Sequence, residues 1–521
     1  MTIQRAAIFA ALFCLQLLCL PFSARAQDIT LSSRDGSIEL KGTLLGFDGE
    51  FYRIDTRFGI LTVDGSGVSC TGIGCPSLID YVADLQISGS ATLGRVMLPA
   101  LIEAFAMRSG LATHRETEGA NQFTYTLTNM RTSKPVGRFH FRVSNTDDGF
   151  VDLLSRDADI VMALREIRPA EAKLAREAGL GDLTLANRST VLALDALVPV
   201  ISPSNPVDRL SVSELVKILS GQETNWKAFG GPDAPITVHM RDAASGLAQS
   251  VEDRLLKPGR ATLGPVTRHA SNTELSNAVA RDPFGIALAS FSEIGNTKAL
   301  PVSGPCGFDL HAARRTVKTE DYPLTTPAFL YMPARRLPAL ARDFLKFTRS
   351  TQAQIVIRRA GFVDQSTEEI RSDLQGDRLA NAILVADGAE GLKNLQRLTK
   401  TLLPMRRLTT SFRFETGSSR LDAQSRSNVL QLARALEIGT YDGRKVLFVG
   451  FSDAVGPAEA NLSIAHKRAE AVRIAVELAA ETANFESVTL SSDAFGEAMP
   501  MACDDTSWGR EVNRRVEVWV R

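Results

Sequence analysis

The C-terminal segment from Asp453 onward carries the pattern that most constrains how this chain folds. Asp453 begins the run Asp453-Ala454-Val455-Gly456, Asn461 follows eight residues later and Arg468 fifteen residues later, and Asn513-Arg514-Arg515-Val516 lies close to the chain end. An acid, an amide and guanidinium groups at such intervals are what a protein needs to bind a zwitterion, which carries one ammonium and one carboxylate. The segment must therefore fold so that these groups converge.

Periodicity in the same segment predicts alternating strands and helices. The stretch 446–450 is continuously apolar and predicts a buried strand that ends just before Asp453. The stretch 461–480 has apolar residues every three to four positions and predicts a helix. Arg468 lies seven residues after Asn461, which is two helical turns along the same face.

The N-terminus has the features of an export signal. Arg5 supplies a positive charge, 6–20 is almost wholly apolar, Pro21 interrupts it, and Ala24-Arg25-Ala26 is a small-x-small cleavage pattern. The apolar run is shorter than an ordinary membrane span, although a retained anchor helix is an alternative. We therefore expect a signal peptide over 1–26 and a mature protein in a bacterial periplasm.

Composition narrows the possible functions. Lys plus Arg and Asp plus Glu both number 59, so the zero net charge gives no indication of a nucleic-acid partner. The six histidines form no metal-ligand pattern, and the sequence has no Gly-x-Ser-x-Gly elbow. The sequence therefore indicates a protein that is not an enzyme and that has no metal or cofactor, with a phosphatase or wall hydrolase as the remote alternative.

Four cysteines follow the predicted signal peptide. Cys70 and Cys75 close a short loop with two glycines, and export to an oxidising compartment favours a disulfide between them. Cys306 and Cys503 fall in different predicted domains, and the sequence leaves their pairing open.

The chain divides into several predicted regions. Residues 27–82 contain short alternating strands separated by Asp-Gly turns and predict a small all-β module. Residues 83–365 alternate strands and helices and predict a two-lobed α/β domain. Residues 366–406 predict a helical connector, which either packs on a neighbouring domain or acts as a spacer, and 407–521 predict a second α/β domain.

Two turns in the central region suit a bound anion. Ser88-Gly89-Ser90-Ala91-Thr92 follows a strand and precedes a predicted helix, which places hydroxyls and amides at a helix N-terminus. Arg241-Asp242-Ala243-Ala244-Ser245-Gly246 offers a guanidinium, a hydroxyl and a glycine amide. Asp159 begins a predicted strand, where it could accept a proton from a protonated oxyanion and so select against deprotonated ligands.

Residues 84–365 resemble the substrate-binding proteins of phosphate ABC transporters. The resemblance is carried by Ile87-Ser88-Gly89-Ser90, Ala158-Asp159-Ile160, Arg241-x3-Ser245-Gly246 and Asp282-Pro283-x-Gly285-Ile286, in that order. It implies a two-lobed clamp that closes by hinge motion, and ligand contacts at Ser90, Thr92, Ser144, Asp159, Arg241, Ser245 and Gly246. The chain departs from the family at Leu247, where a threonine is usual, and at Ala163-Leu164-Arg165, where a Ser-Ser-Arg-like run is usual.

Residues 409–521 resemble the OmpA-like peptidoglycan-binding domain. Besides the pattern described above, Phe414, the run from 418 to Leu421 and Gly496-Glu497-x-x-Pro500 match the family. The resemblance implies binding of the diaminopimelate residue of the stem peptide, with Asp453 taking the ammonium, Arg468 the carboxylate, and Asn461 and Arg514 in support. The departures Phe451, Ser452 and Ala465 remove no charge.

These patterns lead to one principal expectation and one main rival. The principal expectation is a periplasmic binding protein for phosphate or a similar oxyanion, moored non-covalently to peptidoglycan, with an ABC transporter permease as a further candidate partner. The rival is a wall-attached scaffold or interaction protein whose clamp has lost its ligand, and Leu247 is the feature that favours it.

Overall fold

A computed structural model describes residues 28–77, 81–386, 388–415, 418 and 420–521. The expected signal peptide over 1–26 lies outside these residues. The chain forms two compact units, one containing residues up to Ala83 together with Arg336–Arg342, and the other containing Asp84–Arg335 and Asp343–Arg521. Within the described ranges, no helix is long and apolar enough to cross a membrane.

The first unit is built on a five-stranded antiparallel sheet, which confirms the predicted all-β module. Its strands, arranged in the order β4-β3-β2-β1-β5, are β1 (Asp28–Ser33), β2 (Glu39–Phe47), β3 (Phe51–Thr56), β4 (Gly59–Asp64) and β5 (Val68–Thr71). Alternation along β3 buries Tyr52 and Ile54 and exposes Arg53 and Asp55, as expected for a sheet with one core face.

Two kinds of cross-link complete this unit. The disulfide between Cys70 and Cys75 is present, as predicted. The carboxylate of Glu50 also accepts hydrogen bonds from both Arg336 and Arg342, each at 2.5 Å. These bonds join the sheet to the segment Arg336–Arg342, which is distant in sequence.

The α/β part of the second unit begins with a sheet of 11 strands, which the chain visits out of sequence order. These strands are β6 (Ala83–Ser90), β7 (Leu111–Gly119), β8 (Gln122–Asn129), β9 (Pro135–Ser144), β10 (Ile160–Ala163), β11 (Ser189–Ile201), β13 (Thr237–Arg241), β14 (Thr267–His269), β15 (Gly285–Ser290), β16 (Lys298–Ala299) and β19 (Thr325–Tyr331). Their order is β14-β13-β15-β11-β19-β10-β6-β9-β8-β7, with β16 paired to β11. A small separate sheet contains β12 (Leu210–Ser211), β17 (Val302–Ser303) and β18 (Asp309–Leu310).

The long strand β11 divides this part into two lobes. Residues 189–196 of β11 pair with β19 in the first lobe, and residues 197–201 pair with β15 in the second. The helices are α1 (Leu98–Arg108), α2 (Thr146–Ser155), α3 (Pro169–Glu177), α4 (Val212–Leu219), α5 (Gly246–Val251), α6 (Asn272–Arg281), α7 (Arg314–Lys318), α8 (Ala339–Thr348) and α9 (Thr351–Arg359). The predicted two-lobed α/β fold is confirmed.

The C-terminal part is a five-stranded sheet covered on both faces. Its strands, in the order β20-β21-β24-β22-β23, are β20 (Glu369–Ile370), β21 (Arg406–Phe412), β22 (Lys445–Phe451), β23 (Thr489–Gly496) and β24 (Val516–Val520). Its helices are α10 (Gly376–Val385), α11 (Gly388–Leu402), α12 (Ala423–Glu437), α13 (Ala458–Ala479) and α14 (Ser507–Asn513).

The helices α10 and α11 form the connector, and they pack against this sheet rather than spanning open solvent. Ala382, Leu398 and Leu402 share a core with Phe451 and Trp519 of the sheet. The opposite face of the sheet is covered by α12 and α13. Of the two roles that the sequence allowed for the connector, the structure therefore shows packing on a neighbouring domain.

The C-terminal sheet is joined to the second lobe by a buried charge network. The guanidinium of Arg407 donates to both carboxylate oxygens of Asp321, at 2.6 and 3.0 Å, and lies 3.3 Å from a carboxylate oxygen of Glu517. Arg378 and Arg515 also donate to Glu517. Because all of these side chains are almost fully buried, each charge depends on its partners.

A disulfide and a tryptophan reinforce the same junction. Cys306 of the second lobe is bonded to Cys503 of the C-terminal part, which settles a pairing that the sequence left open. The indole N–H of Trp508 donates to the carbonyl of Arg254 at 2.8 Å. The C-terminal part is thus held to the second lobe by covalent, ionic and hydrogen bonds.

The junction also contains crowded carboxyl groups where α12 begins. The backbone N–H of Ala423 donates to the Glu166 carboxylate of the first lobe at 2.5 Å, and Asp422 caps the helix. Burial, followed by the negative charge of Asp422, raises the pKa of Glu166 to about 7 and that of Glu320 to about 8. Arg413 and Arg254 oppose the shift at Glu320 but do not cancel it.

Replacement of Arg407 with methionine should test the buried network. Because Asp321 and Glu517 would lose a buried counter-charge, we expect Arg407→Met to lower the free energy of unfolding by about 3–5 kcal/mol in urea titrations. The matched control is Arg406→Met, since the Arg406 side chain is 58% exposed. This control should change stability by less than about 1 kcal/mol. Equal losses for the two variants would contradict the assigned role of the network.

Glu320 should make stability depend on pH. Below its ordinary pKa of 4.5 the carboxyl is protonated in both folded and unfolded chains, and between 4.5 and about 8 only the folded chain retains the proton. Stability should therefore fall as pH rises through this window and then level off. Glu320→Gln should make the fall smaller and leave the part that is due to Glu166, whereas Glu390→Gln, at a side chain that is 74% exposed, should leave the fall unchanged. Parallel curves for the native chain and Glu320→Gln would be evidence against this assignment.

Candidate functional site

The first lobe presents a buried hydroxyl at the end of strand β6. Ser90 is fully buried, and its Oγ has no hydrogen-bond partner among the described residues. The preceding Gly89 has φ +125°, and a Cβ there would lie 2.3 Å from the carbonyl oxygen of Met162. Only glycine fits this close approach, so the sequence Ser-Gly-Ser fixes where the strand ends and where the Ser90 hydroxyl lies.

The second lobe meets this hydroxyl at Gly246. A Cβ on Gly246 would lie 3.4 Å from Ser90 Oγ and 3.6 Å from Leu164 Cδ1, so the three residues surround one small region. Ser245 is the N-cap residue of α5, and its Oγ accepts a hydrogen bond from Ala248 N at 3.2 Å. Thr92 is also buried, two residues after Ser90.

Arg241 is the last residue of strand β13, and hydrogen bonds to two other residues hold its guanidinium. Its Nε donates to Asn272 Oδ1 at 2.8 Å, and its Nη1 donates to the carbonyl of His269. Burial lowers the pKa of Arg241, the Asp242 carboxylate opposes this change, and the positive charge of Arg95 adds to it. Arg95 was not among the predicted site residues, although its position five residues after Ser90 was a usable signal.

Ser144 ends strand β9 beside a contact between the lobes. Its Oγ lies 3.4 Å from the carbonyl oxygen of Asn145. The side-chain amide of Asn145 donates across to the carbonyl of Ala244 at 3.0 Å. Ser144, which the sequence resemblance places at the anion site, therefore immediately precedes Asn145, the residue that connects the lobes.

Asp159 does not join this group, and the prediction that places it beside the anion is corrected. Strands β6 and β10 are parallel, and their register pairs Ile160 with Ile87 and Met162 with Gly89. Asp159 therefore lies four residues along β6 from Ser90, which is about 13 Å. Its carboxylate accepts from Gln86 N at 2.8 Å and pairs with Arg335. The side chain near Ser90 is instead that of Leu164, which follows β10.

Ion pairs also connect the lobes directly. Arg168 of the first lobe donates to both carboxylate oxygens of Asp253 in the second, at 3.1 and 2.8 Å. Arg165, from the run that departs from the family pattern, pairs with Asp147 and Glu171. The lobes are thus in contact in this structure.

A second candidate site lies at the end of strand β22 in the C-terminal part. Asp453 follows this strand, and its Oδ2 accepts a hydrogen bond from Arg514 Nη1 at 2.7 Å. The Asp504 carboxylate fixes this turn, because it accepts hydrogen bonds from Ala454 N at 2.8 Å and from the side-chain amide of Asn513 at 2.8 Å.

Helix α13 brings Asn461 and Arg468 to the same site. The helix approaches β22 so closely that a Cβ on Gly450 would lie 2.0 Å from the carbonyl oxygen of Ala465. Burial lowers the pKa of Arg468, and the charge of Arg514 adds to the shift while that of Asp453 opposes it. The amide nitrogen of Asn461 is buried without a hydrogen-bond partner in the described part of the chain. Asp453, Arg468 and Arg514 are therefore close enough to interact, and Asn461 lies two turns before Arg468 on the same helix.

The two arginines of the Asn-Arg-Arg run have different surroundings. Arg514 lies at this site, whereas Arg515 is fully buried and donates to Glu517 Oε1 at 2.7 Å and to the carbonyl of Met499 at 2.9 Å. Its guanidinium carbon lies 4.3 Å from the centroid of the Phe451 ring. The motif therefore serves both the core and the surface.

The central part of the chain is a two-lobed α/β fold in which the long strand β11 runs through both lobes. Residues 82–352, which are more than half of the chain, match the family described as "PBP superfamily domain", so the chain belongs to that superfamily. Residues 413–514 match the "OmpA family". Both resemblances noted in the sequence are thereby confirmed at the level of family.

Several known proteins are similar to the central part. Protein SphX of Synechococcus elongatus is 29% identical over 269 residues, which are 48% of this chain and 78% of that protein. The phosphate-binding protein PstS of Borreliella burgdorferi is 26% identical over 188 residues, or 34% and 67% of the two chains. A solved ABC-type phosphate transport receptor from Vibrio cholerae is 22% identical, with TM-score 0.41, and covers 54% of this chain and 99% of its own.

Proposed function

We propose that this protein binds a small tetrahedral oxyanion between its two lobes and is moored non-covalently to peptidoglycan in the periplasm. Phosphate is the first ligand to consider, because similar proteins are named for binding it. The proposal includes no catalytic step. An ABC transporter permease remains a candidate partner, and a location at the Gram-negative outer envelope is part of the same proposal.

The observation that carries the anion proposal is the unpartnered hydroxyl of Ser90. Leaving a buried hydroxyl without a partner costs about 1–3 kcal/mol, so such a group needs an explanation. Here the hydroxyl faces Gly246 of the second lobe, where a Cβ would lie 3.4 Å from Ser90 Oγ. An oxyanion in this region could accept from Ser90 and from other nearby donors.

Positive charge supports the same assignment. Arg241 is largely buried, and the charge of Arg95 contributes to its electrostatic environment. The Arg241 guanidinium raises the local potential for an anion and is well suited to its oxygens, whereas Arg95 is exposed and donates to Asn121 Oδ1 at 2.7 Å. We assign Ser90, Thr92, Arg241, Ser245 and Gly246 to the site, with Ser144 at its margin.

The C-terminal site supports binding of a zwitterion. The Asp453 carboxylate can take an ammonium, and the Arg468 guanidinium can take a carboxylate. Arg514 lies beside Asp453, and the free amide of Asn461 offers a further donor. Diaminopimelate in a peptidoglycan stem carries both an ammonium and a carboxylate, so we propose it as the group that is bound.

Calorimetric titration tests anion binding directly. After removal of bound anions by mild unfolding, the mature protein should bind phosphate saturably, and Arg241→Ala should abolish binding because the buried counter-charge is lost. Arg281→Ala, at an exposed residue in the last turn of α6, should bind like the native protein. Failure to bind any anion of a small oxyanion panel would favour the wall-attached scaffold instead.

Co-sedimentation with purified sacculi tests the mooring. Asp453→Ala and Arg468→Ala should each abolish co-sedimentation, because each removes one charge that a zwitterion requires. Lys467→Ala removes an exposed positive charge from the same helix and should leave sedimentation unchanged. If either site variant sediments as fully as the native protein, the assignment of this site to peptidoglycan is wrong.

A further inference from the structure

Leu164 occupies the place where the sequence predicted a carboxylate. Its Cδ1 lies 3.6 Å from the position that a Cβ on Gly246 would take, and Ser90 Oγ lies 3.4 Å from the same position. Leu164 is buried, and its backbone N–H donates to Thr146 Oγ1 at 3.1 Å. One wall of the region between the lobes is therefore hydrocarbon.

The nearby acids are engaged with other groups. Asp159 is held at the far end of β10 by Gln86 N. Asp148 accepts from the Asn145 amide at 2.9 Å, and Asp152 accepts from Ser88 and from Arg142. These contacts keep the three carboxylates occupied by donors of the protein.

The carboxylates near Arg241 are also screened by solvent or engaged with other groups. The Asp242 carboxylate approaches Arg241 only to 4.0 Å, and its side chain is 54% exposed, so solvent screens it. Glu293 accepts a hydrogen bond from the Asn272 amide at 2.5 Å. The unpartnered group facing Gly246 is thus the hydroxyl of Ser90, which can donate to an unprotonated oxygen or accept from a protonated one.

We propose that Leu164 makes the site indifferent to ligand protonation, so that it binds sulfate as well as phosphate. This inference rests on the proposed anion binding and specifies the class of ligand. A carboxylate at residue 164 would repel an oxyanion that has no proton to share, and it would accept a hydrogen bond from one that has. Leucine neither repels an unprotonated oxyanion nor accepts a hydrogen bond from a protonated one. The site therefore does not distinguish between these two kinds of oxyanion.

The test compares phosphate and sulfate near neutral pH by calorimetry on the full mature chain, stripped of bound anions. The native protein should bind sulfate with an affinity within about tenfold of that for phosphate, since neither ligand leaves a carboxylate unpaired or repelled. Leu164→Asp should weaken sulfate binding relative to phosphate by at least about a hundredfold. Leu164→Asn introduces a side chain of about the same size as aspartate but without its charge. This variant should keep the native ratio of phosphate affinity to sulfate affinity.

The outcomes separate this inference from the proposed function. If the native protein binds phosphate but rejects sulfate by more than about a hundredfold, the inference is overturned and the anion-binding function remains. If it binds neither ligand, the anion-binding function itself fails. Circular dichroism would show whether Leu164→Asp folds, and should it not fold, the phosphate-to-sulfate ratio of the native chain decides alone.

Discussion

The buried cluster of Asp321, Arg407 and Glu517 is the interaction on which the arrangement of the second unit depends. Arg378 and Arg515 complete it, so three guanidinium groups face two carboxylates away from solvent. Although burial alone would raise the pKa of Glu517, the guanidiniums of Arg378, Arg407 and Arg515 lower it to about 2. The cluster is complete only when the connector, the C-terminal sheet and the second lobe are all in place.

This dependence has a mechanical consequence for the clamp. The C-terminal part contacts the second lobe through Asp321 and Cys306, and it contacts the first lobe through Glu166. Hinge closure in a two-lobed protein requires one lobe to rotate against the other. The contact between Glu166 and Ala423 N lies between the first lobe and a part that is bonded to the second lobe, so such a rotation would have to break it. Exchange of the proposed oxyanion by such a motion would therefore involve the same contacts that dock the C-terminal domain.

Much of the domain organisation and of the C-terminal site could be predicted from the sequence, because it depends on residues that lie close together in the chain. The spacing of Asp453, Asn461 and Arg468 is fixed by a strand, a turn and a helix, and these elements have regular periods. The short loop of Cys70 and Cys75 limits its own pairing in the same way. By contrast, the bond between Cys306 and Cys503 depends on how distant regions pack, which no local pattern contains.

The position of Asp159 shows the same limit at the candidate site. An aspartate at the start of a strand and a leucine after its end differ little in a linear pattern, yet the parallel register of β6 and β10 places them at opposite ends. Which of them meets Ser90 is set by pairing between strands that are far apart in sequence. The register between β6 and β10 therefore decides which side chain lies beside Ser90. The prediction of Asp159 was wrong because this register is a property of the paired strands and cannot be read from one strand alone.

Both candidate sites contain a buried polar group without a partner, Ser90 Oγ in the cleft and Asn461 Nδ2 on α13. Folding alone would favour pairing these groups or replacing them, because each unsatisfied group opposes stability. Each lies where a glycine brings backbone close: Gly246 opposite Ser90, and Gly450 against the helix that carries Asn461. In both places the chain holds a donor in a packed setting, so little ordering would be required on binding of the ligands proposed for these sites. The contacts that dock the C-terminal part and the close backbone approaches at Gly246 and Gly450 thus belong to one packed unit, which also contains both proposed sites.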